Sequence, residues 1–152
     1  MDYIGGEPEP GCLFCRLLAD PSRDEVNLVV WRPAGAIVVL NKFPYNSGHV
    51  MVAPARHTGD LAELEPAELS DVMTAVQESL RLIRKTMNPD GFNVGANLGK
   101  AAGAGIPDHV HMHVVPRWNG DTSFMASLAD VKVINEHLLA TAAKLRQALA
   151  PG

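Results

Sequence analysis

The chain of 152 residues contains only two cysteines, and aromatic residues make up only 5% of it. Two cysteines are too few for a disulfide framework and are typical of a protein whose thiols stay reduced, so we expect a cytoplasmic location. The apolar runs are too short to cross a bilayer, and the amino terminus lacks the pattern of a signal peptide. The sequence therefore predicts no association with a membrane.

Positive charge is scarce as well. Thirteen lysines and arginines face 17 aspartates and glutamates, which gives a formal net charge of −4. This balance argues against a broad surface for nucleic acid. Apolar residues make up 47% of the chain, enough for one globular domain with a proper core. Among the common residue types, the six histidines stand out.

The hydrophobic pattern predicts one α+β domain. Residues 1–11 are rich in Gly, Pro and acid, and we expect a flexible arm there, followed by a single domain over 12–152. Short apolar or alternating runs separated by turn residues predict about five antiparallel strands, at 26–31, 36–40, 48–54, 92–98 and 109–116. Apolar residues at helical spacing predict two helices, at 66–88 and about 131–149. This order favours helices packed on an antiparallel sheet.

Three histidines alternate with apolar residues in the segment HVHMHV at 109–114. On a strand, His109, His111 and His113 share one face, about 6.6 Å apart per step. Such a row suits an elongated anion such as a polyphosphate: the middle ring attacks phosphorus while the outer rings donate hydrogen bonds. The competing interpretations are an adventitious metal patch and a wet polar face. We favour catalysis because a Gly-rich loop leads directly into the row, where Gly103 and Gly105 allow amide groups to approach a phosphate.

The stretch HVHMHVVPRW at 109–118 resembles the signature of the histidine triad (HIT) superfamily. The similarity extends to Asn41, to SGHVMVAPARH at 47–57, to the predicted helix 66–88 and to Asn97. Within the superfamily, the region NLGKAAGAGIPDHVHMHVVPRWNGDTSF is most similar to the bacterial diadenosine-tetraphosphate phosphorylase branch. The resemblance implies a HIT-like fold that dimerises across a two-fold axis.

The resemblance also implies an activity. It points to a nucleotidyl transferase or hydrolase that cleaves a dinucleoside polyphosphate at an α-phosphate, with His111 as the nucleophile that forms a covalent nucleotidyl-histidine. His113 and His109 correspond to residues that contact the phosphate and steady the ring. His49 corresponds to a phosphate-facing residue, Asn41 to a ribose contact and Asn97 to a residue near the phosphate. Trp118, just beyond the strand, faces either the base or second nucleotide of the substrate or the core.

One position departs from the family pattern. Many family hydrolases carry glutamine four residues before the first histidine, where this chain has Gly105. The missing side chain leaves room for inorganic phosphate as the acceptor, which favours a phosphorylase. Mg²⁺ carried in by the nucleotide is a further expectation. The alternatives are a hydrolase of dinucleoside polyphosphates, a nucleoside phosphoramidate or adenylyl-lysine hydrolase, and a non-catalytic AMP-binding adaptor.

Cys12 and Cys15 have the CxxC spacing that lets two thiolates bind one metal ion. Zinc requires two further ligands, and some family members supply two histidines that correspond to His57 and His109. A zinc site would commit His109 to structure and leave His111 and His113 for chemistry. The alternatives are a redox pair and a buried turn without metal, and the absence of a thioredoxin-like βαβ pattern argues against the redox pair.

Overall fold

The computed structural model describes residues 10–121 and 137–149. It contains one five-stranded antiparallel sheet in the order β1-β2-β3-β5-β4. The strands are β1 Val29–Trp31, β2 Ala36–Leu40, β3 Val50–Pro54, β4 Gly91–Gly95 and β5 Met112–Arg117. The helices are α1 Leu13–Ala19, α2 Pro66–Met87 and α3 Leu138–Leu149.

The predicted α+β fold with five antiparallel strands is confirmed. The helix count and some strand bounds differ from the prediction. The short helix α1 was not predicted, so the described residues hold three α-helices rather than two, and the strands expected at 26–31 and 92–98 span only 29–31 and 91–95. The final helix was expected from about residue 131, but residues 131–136 lie outside the described ranges, as do residues 1–9 of the predicted arm. The helices in the described ranges are all too short or too polar to span a bilayer.

Helix α2 begins and ends where its sequence predicts. Pro66 occupies the first turn, and the side chains and amides of Glu65 and Glu68 form a reciprocal capping box. At the other end, Asn88 adopts the left-handed conformation that terminates a helix, and Arg84 and Lys85 complement the negative end of the helix dipole. The local signals and the observed boundaries therefore agree.

The sheet has two buried faces. One face packs on α2 and α3 through an aliphatic core that includes Val38, Leu40, Val52, Val114, Val76, Ile83 and Leu145. The opposite face is covered by α1, whose Phe14 and Leu17 pack on Val29, Ile37, Val39, Met51 and Ala53. Because side chains alternate along a strand, His113, which pairs with Met51 in register, lies on this second face. The small helix and the histidines therefore share one side of the sheet.

The predicted strand 109–116 begins later than expected, at Met112. The segment before it is attached to the loop after β3, because the amide of Val110 donates to the carbonyl of Thr58 at 2.7 Å. The backbones approach closely one residue further on, where a Cβ atom on Gly59 would lie 2.4 Å from the carbonyl oxygen of Pro107. As a result, His109 and His111 lie in an irregular segment and only His113 is in the strand.

Candidate active site and metal centre

His111 and His113 lie side by side at the start of β5. Their ring centroids are 4.8 Å apart and the rings meet edge to face. The His111 Nδ1 lies 2.9 Å from the carbonyl oxygen of His109, and because a carbonyl only accepts, Nδ1 carries the proton. The Nε2 atom of neutral His111 therefore holds an unshared electron pair, as a nucleophile requires.

His49 and His113 form a hydrogen-bonded relay in which the direction from donor to acceptor is fixed. The amide of Tyr45 donates to His49 Nδ1 at 3.1 Å, so the proton of neutral His49 is on Nε2. His49 Nε2 lies 2.9 Å from His113 Nδ1 and donates to it. His113 then carries its own proton on Nε2, which leaves that N–H as a donor.

Burial sets the charge of these rings. It lowers the pKa of His109, His111 and His113, because a charged imidazole loses hydration there. Neighbouring histidines lower the pKa of His109 and His113 further, whereas carbonyl acceptors raise the pKa of His109 and His111 in part. The lowered pKa favours the neutral form of these three rings at pH 7, which is the state in which His111 can attack an electrophile.

Two aromatic residues near the histidines were not predicted as part of the site. Tyr45 stacks on His49, with ring centroids 4.9 Å apart and an angle of 25° between the planes. Phe14 is fully buried, and its ring lies 5.1 Å from the rings of both His109 and His111. The sequence carried a signal for Phe14: Leu13, Phe14 and Leu17 have the spacing of a short amphipathic helix.

The four predicted metal ligands converge on one point. One ligand atom from each of Cys12, Cys15, His57 and His109 lies within 4.8 Å of all the others. His109 Nδ1 is 3.2 Å from Cys12 Sγ and 3.7 Å from Cys15 Sγ. His57 Nδ1 is 3.3 Å from Cys15 Sγ and 3.4 Å from His109 Nδ1. The cluster can hold a metal ion.

The chemistry of this cluster fits zinc. A tetrahedral Cys₂His₂ site with ordinary zinc–ligand bonds has ligand–ligand distances of about 3.3–3.8 Å. The four distances between ligand atoms given above, 3.2–3.7 Å, fall close to this range. His109 Nε2 donates to the carbonyl of Pro54 at 2.9 Å, so its Nδ1 is unprotonated and directed at the two sulfur atoms. The ring orientation that metal binding needs is thus built into the protein.

This arrangement differs from the predicted row of three phosphate-facing histidines. The ring of His109 belongs to the metal cluster, and only its carbonyl oxygen reaches His111. The physical reason is that the His109 ring is held between the carbonyl of Pro54 and the sulfur atoms of Cys12 and Cys15, which turns it away from a shared row. His49 from the neighbouring strand end joins His113 instead.

Two predicted substrate residues lie in different surroundings. Asn41 is beside the relay: its Nδ2 is 3.4 Å from His49 Nδ1 and its Oδ1 accepts from the amide of Phe43. Trp118 lies beyond β5, where its indole N–H donates to the carbonyl of Asn88 at the end of α2. The role of each toward a substrate stays a prediction.

The remaining predicted residues lie before β5. Asn97 is half-buried just after β4. Gly103 adopts a left-handed conformation, and its amide donates to the carbonyl of Lys100 at 3.0 Å, so that N–H is already used within the turn. A Cβ atom on Gly105 would meet open space. The contact of these residues with a phosphate also stays a prediction.

The five-stranded antiparallel fold and the alternating histidines at the start of β5 define a histidine triad protein. A family model described as the HIT domain matches residues 23–120. The chain belongs to this family.

Relatives of stated activity and a solved structure extend the comparison. The chain is 44% identical over 115 residues to the AP-4-A phosphorylase of Mycobacterium tuberculosis, covering 76% of this chain and 59% of the relative. It is 36% identical over 95 residues to the asymmetrical bis(5'-nucleosyl)-tetraphosphatase of Schizosaccharomyces pombe, covering 62% and 52%. A zinc-bound histidine triad family protein from Mycobacterium smegmatis superposes with a TM-score of 0.73 at 30% identity, covering 91% and 93%. The chain thus spans little more than half of either enzyme.

Proposed function

We propose that this protein cleaves dinucleoside polyphosphates such as diadenosine tetraphosphate at an α-phosphate, with inorganic phosphate as the acceptor. The observation that carries the proposal is the hydrogen bond from His111 Nδ1 to the carbonyl of His109, because it directs the electron pair of a neutral ring outward from Nε2. The similarity to the mycobacterial AP-4-A phosphorylase supports the choice of substrate.

The reaction proceeds in two displacements at phosphorus. His111 Nε2 attacks the α-phosphorus, so that a P–N bond forms while the P–O bond to the leaving nucleoside triphosphate breaks. An oxygen of inorganic phosphate then attacks the same phosphorus, the P–N bond breaks, and a nucleoside diphosphate leaves. Diadenosine tetraphosphate and phosphate thus give ATP and ADP.

The relay supplies a hydrogen-bond donor for the phosphate. Because His49 fixes the proton of His113 on Nε2, that N–H can donate to a phosphate oxygen as negative charge develops on it. The direction of the relay comes from a backbone amide, which cannot reverse its role. His113 therefore acts as a donor and His111 as the nucleophile.

Substitution of the nucleophile is the direct test. We expect His111→Ala to lower turnover of diadenosine tetraphosphate on the order of a thousandfold or more, with AMP affinity changed by less than about tenfold. His137→Ala, which removes an exposed histidine at the start of α3, is the control and should leave turnover unchanged. Intact mass after rapid quenching should show a nucleotidyl group on the parent protein and none on the His111 variant. Full turnover by His111→Ala would refute the assignment.

The acceptor is tested by product analysis. With phosphate present we expect ADP and ATP, and without it little turnover; AMP and ATP formed without phosphate would identify a hydrolase instead, as the similarity to the yeast tetraphosphatase would allow. The open space at Gly105 supports phosphate as the acceptor. Gly105→Gln should therefore inhibit phosphorolysis more than Gly105→Ala does. Adding and chelating Mg²⁺ in the same assay tests whether the nucleotide carries that ion.

We also propose that the cluster of Cys12, Cys15, His57 and His109 binds one zinc ion. When bound, zinc would tie helix α1 to the segment before β5 and provide structural support. Metal analysis of untagged protein should find about one zinc per chain. A chain that is folded and carries no zinc at any stoichiometry would exclude the site.

A further inference from the structure

One aromatic side chain connects the metal cluster to the proposed nucleophile. Phe14 is located inside the cysteine motif, between Cys12 and Cys15, and its side chain is completely buried. Its ring centroid lies 5.1 Å from the ring of His109, at an interplanar angle of 56°. It lies at the same distance from the ring of His111, at 44°. The segment that supplies two metal ligands therefore also supplies a surface against the catalytic ring.

A second connection runs through the backbone of His109. The ring of His109 faces Cys12 and Cys15, and its carbonyl oxygen accepts the proton of His111 Nδ1. His111 is thus held by a hydrogen bond at Nδ1 and by ring contact with Phe14. The first contact comes from His109, a member of the metal cluster, and the second from Phe14, which lies between Cys12 and Cys15 in the sequence.

The position of Phe14 depends on how helix α1 is fixed. This helix has only seven residues, too few to be stable alone, and the side chain of its N-cap residue Cys12 makes no capping hydrogen bond. The two cysteine ligands would anchor the start of the helix, where this cap is missing. Its end is held by Arg32, which donates to the carbonyls of Leu17 and Leu18, and its apolar side by the packing of Phe14 and Leu17 on the sheet.

We propose that Phe14 is a positioning residue through which the metal cluster holds His111 in its reactive tautomer. An unconstrained neutral histidine prefers the proton on Nε2, which would remove the electron pair that attacks phosphorus. Contact with Phe14 keeps the His111 ring against the carbonyl of His109, and this bond keeps the proton on Nδ1. The consequence for catalysis rests on the proposed function, whereas the tautomer of His111 does not.

The test compares two buried residues of α1. Phe14→Leu removes the aromatic ring and keeps an apolar side chain in the core. Leu17→Ala, one turn later in the same core, is the matched control that weakens packing and leaves Phe14 in place. Both variants are prepared as full-length, zinc-loaded protein, and circular dichroism and the thermal midpoint confirm folding. A third sample is the parent protein treated with a chelator.

The primary measurement is the tautomer of His111, from the ring ¹⁵N shifts of histidine-labelled protein, assigned by their loss in His111→Ala. These shifts separate protonated from unprotonated nitrogen and respond little to a lost aromatic neighbour. We expect protonated Nδ1 in the loaded parent and in Leu17→Ala. Phe14→Leu and the metal-free parent should show a mixture with protonated Nε2.

Turnover is the second measurement. We expect kcat of Phe14→Leu to fall about three- to tenfold, the range for one aromatic contact, with KM changed by less than about twofold. The proposal is wrong if His111 keeps protonated Nδ1 in Phe14→Leu, or if Leu17→Ala changes the tautomer as much. If chelation unfolds the chain, the loaded Phe14 variant decides. A tautomer change in Phe14→Leu, in a protein whose parent turns over no dinucleotide, would uphold the positioning role and reject the proposed function.

Discussion

The buried histidines are oriented by neighbours that can only donate or only accept a hydrogen bond. The carbonyl of Pro54 fixes the proton of His109 on Nε2, and the carbonyl of His109 fixes that of His111 on Nδ1. The amide of Tyr45 fixes that of His49 on Nε2. Because all three are backbone groups, the fold itself sets which ring nitrogen of these histidines carries the proton. Substituting a side chain elsewhere can disturb this pattern by moving the backbone or by releasing a ring from its backbone partner.

The pH dependence of stability should carry the signature of these buried rings. Burial lowers the pKa of His113 below its ordinary value of 6.5. Below about pH 6.5 the unfolded chain therefore takes up a proton at this residue that the folded protein does not. The stability contributed by neutral His113 is complete above that pH and is lost as the pH falls toward the lower folded pKa.

We therefore expect His113→Gln to lose less stability between pH 7 and pH 5 than the parent protein does. The measurement is the free energy of unfolding from urea titrations at the two pH values. An equal or larger loss in His113→Gln would contradict the assignment of a lowered pKa to this residue. Glutamine is chosen because it can still accept a hydrogen bond from His49.

Two glycines near the histidines should respond in opposite ways to the same substitution. A Cβ atom on Gly59 would lie 2.4 Å from the carbonyl oxygen of Pro107, whereas one on Gly105 would meet nothing within 4 Å. We expect Gly59→Ala to lower the free energy of unfolding by about 1–3 kcal/mol, since one of two backbones must shift. Gly105→Ala should leave stability unchanged or slightly higher. Urea titration of both variants checks this, and equal effects would argue against the close approach at Gly59.

At the scale of elements, the long helix α2 and the buried strand β2 were predictable from their apolar patterns, whereas the short helix α1 was not. Helix α2 has 22 residues, a repeating apolar face and signals at both ends, and it was predicted within one residue. Helix α1 has only seven residues, too few for its apolar side chains to show a clear helical repeat. It is stabilised by tertiary packing, which a local pattern does not report.

The candidate site was predictable only in part. The convergence of Cys12, Cys15, His57 and His109 was predicted from spacing and resemblance together. The orientation of His109 was predicted in two incompatible ways, as a phosphate contact and as a metal ligand. Its ring direction depends on the carbonyl of Pro54 and on the sulfur atoms of Cys12 and Cys15, which are tertiary contacts. The sequence motif therefore identified the residues, and the three-dimensional structure was needed to show that they form two separate clusters.

The link between metal and helix α1 leads to a prediction about thermal stability. A ligand that binds only the folded state raises its stability. A structural zinc ion whose free concentration is well above its dissociation constant should raise the thermal midpoint by about 5 °C or more. We expect a chelator to lower the thermal midpoint of the parent protein by that amount. The variant with both Cys12→Ser and Cys15→Ser is the control: its midpoint should be low already and should not respond to chelator. A parent midpoint that chelator leaves unchanged would count against a structural metal.

At the scale of the whole molecule, β4 forms one of the two edges of the sheet. Pro116 in β5 lies opposite Phe92 and has no N–H, and its carbonyl accepts from Asn46 on the other side. Phe92 therefore forms a non-hydrogen-bonded pair with Pro116, and by alternation Val94 forms one with Val114. The amide and carbonyl groups of Phe92 and Val94 consequently point outward from the sheet. An edge of this kind can pair with the same edge of a second copy, as the expected two-fold dimer requires.

The corresponding test removes one outward N–H without altering the ladder inside the sheet. The side chain of Val94 is 43% exposed, and proline is tolerated at an edge position whose N–H does not face the neighbouring strand. We expect the parent protein to have twice the 16.3 kDa mass of one chain by light scattering and Val94→Pro to be shifted toward one chain. Val94→Thr keeps both the N–H and the branched side chain, so it should remain dimeric. A dimer that survives Val94→Pro in a folded protein would mean that the two copies meet through another surface, and a monomeric parent would exclude the dimer itself.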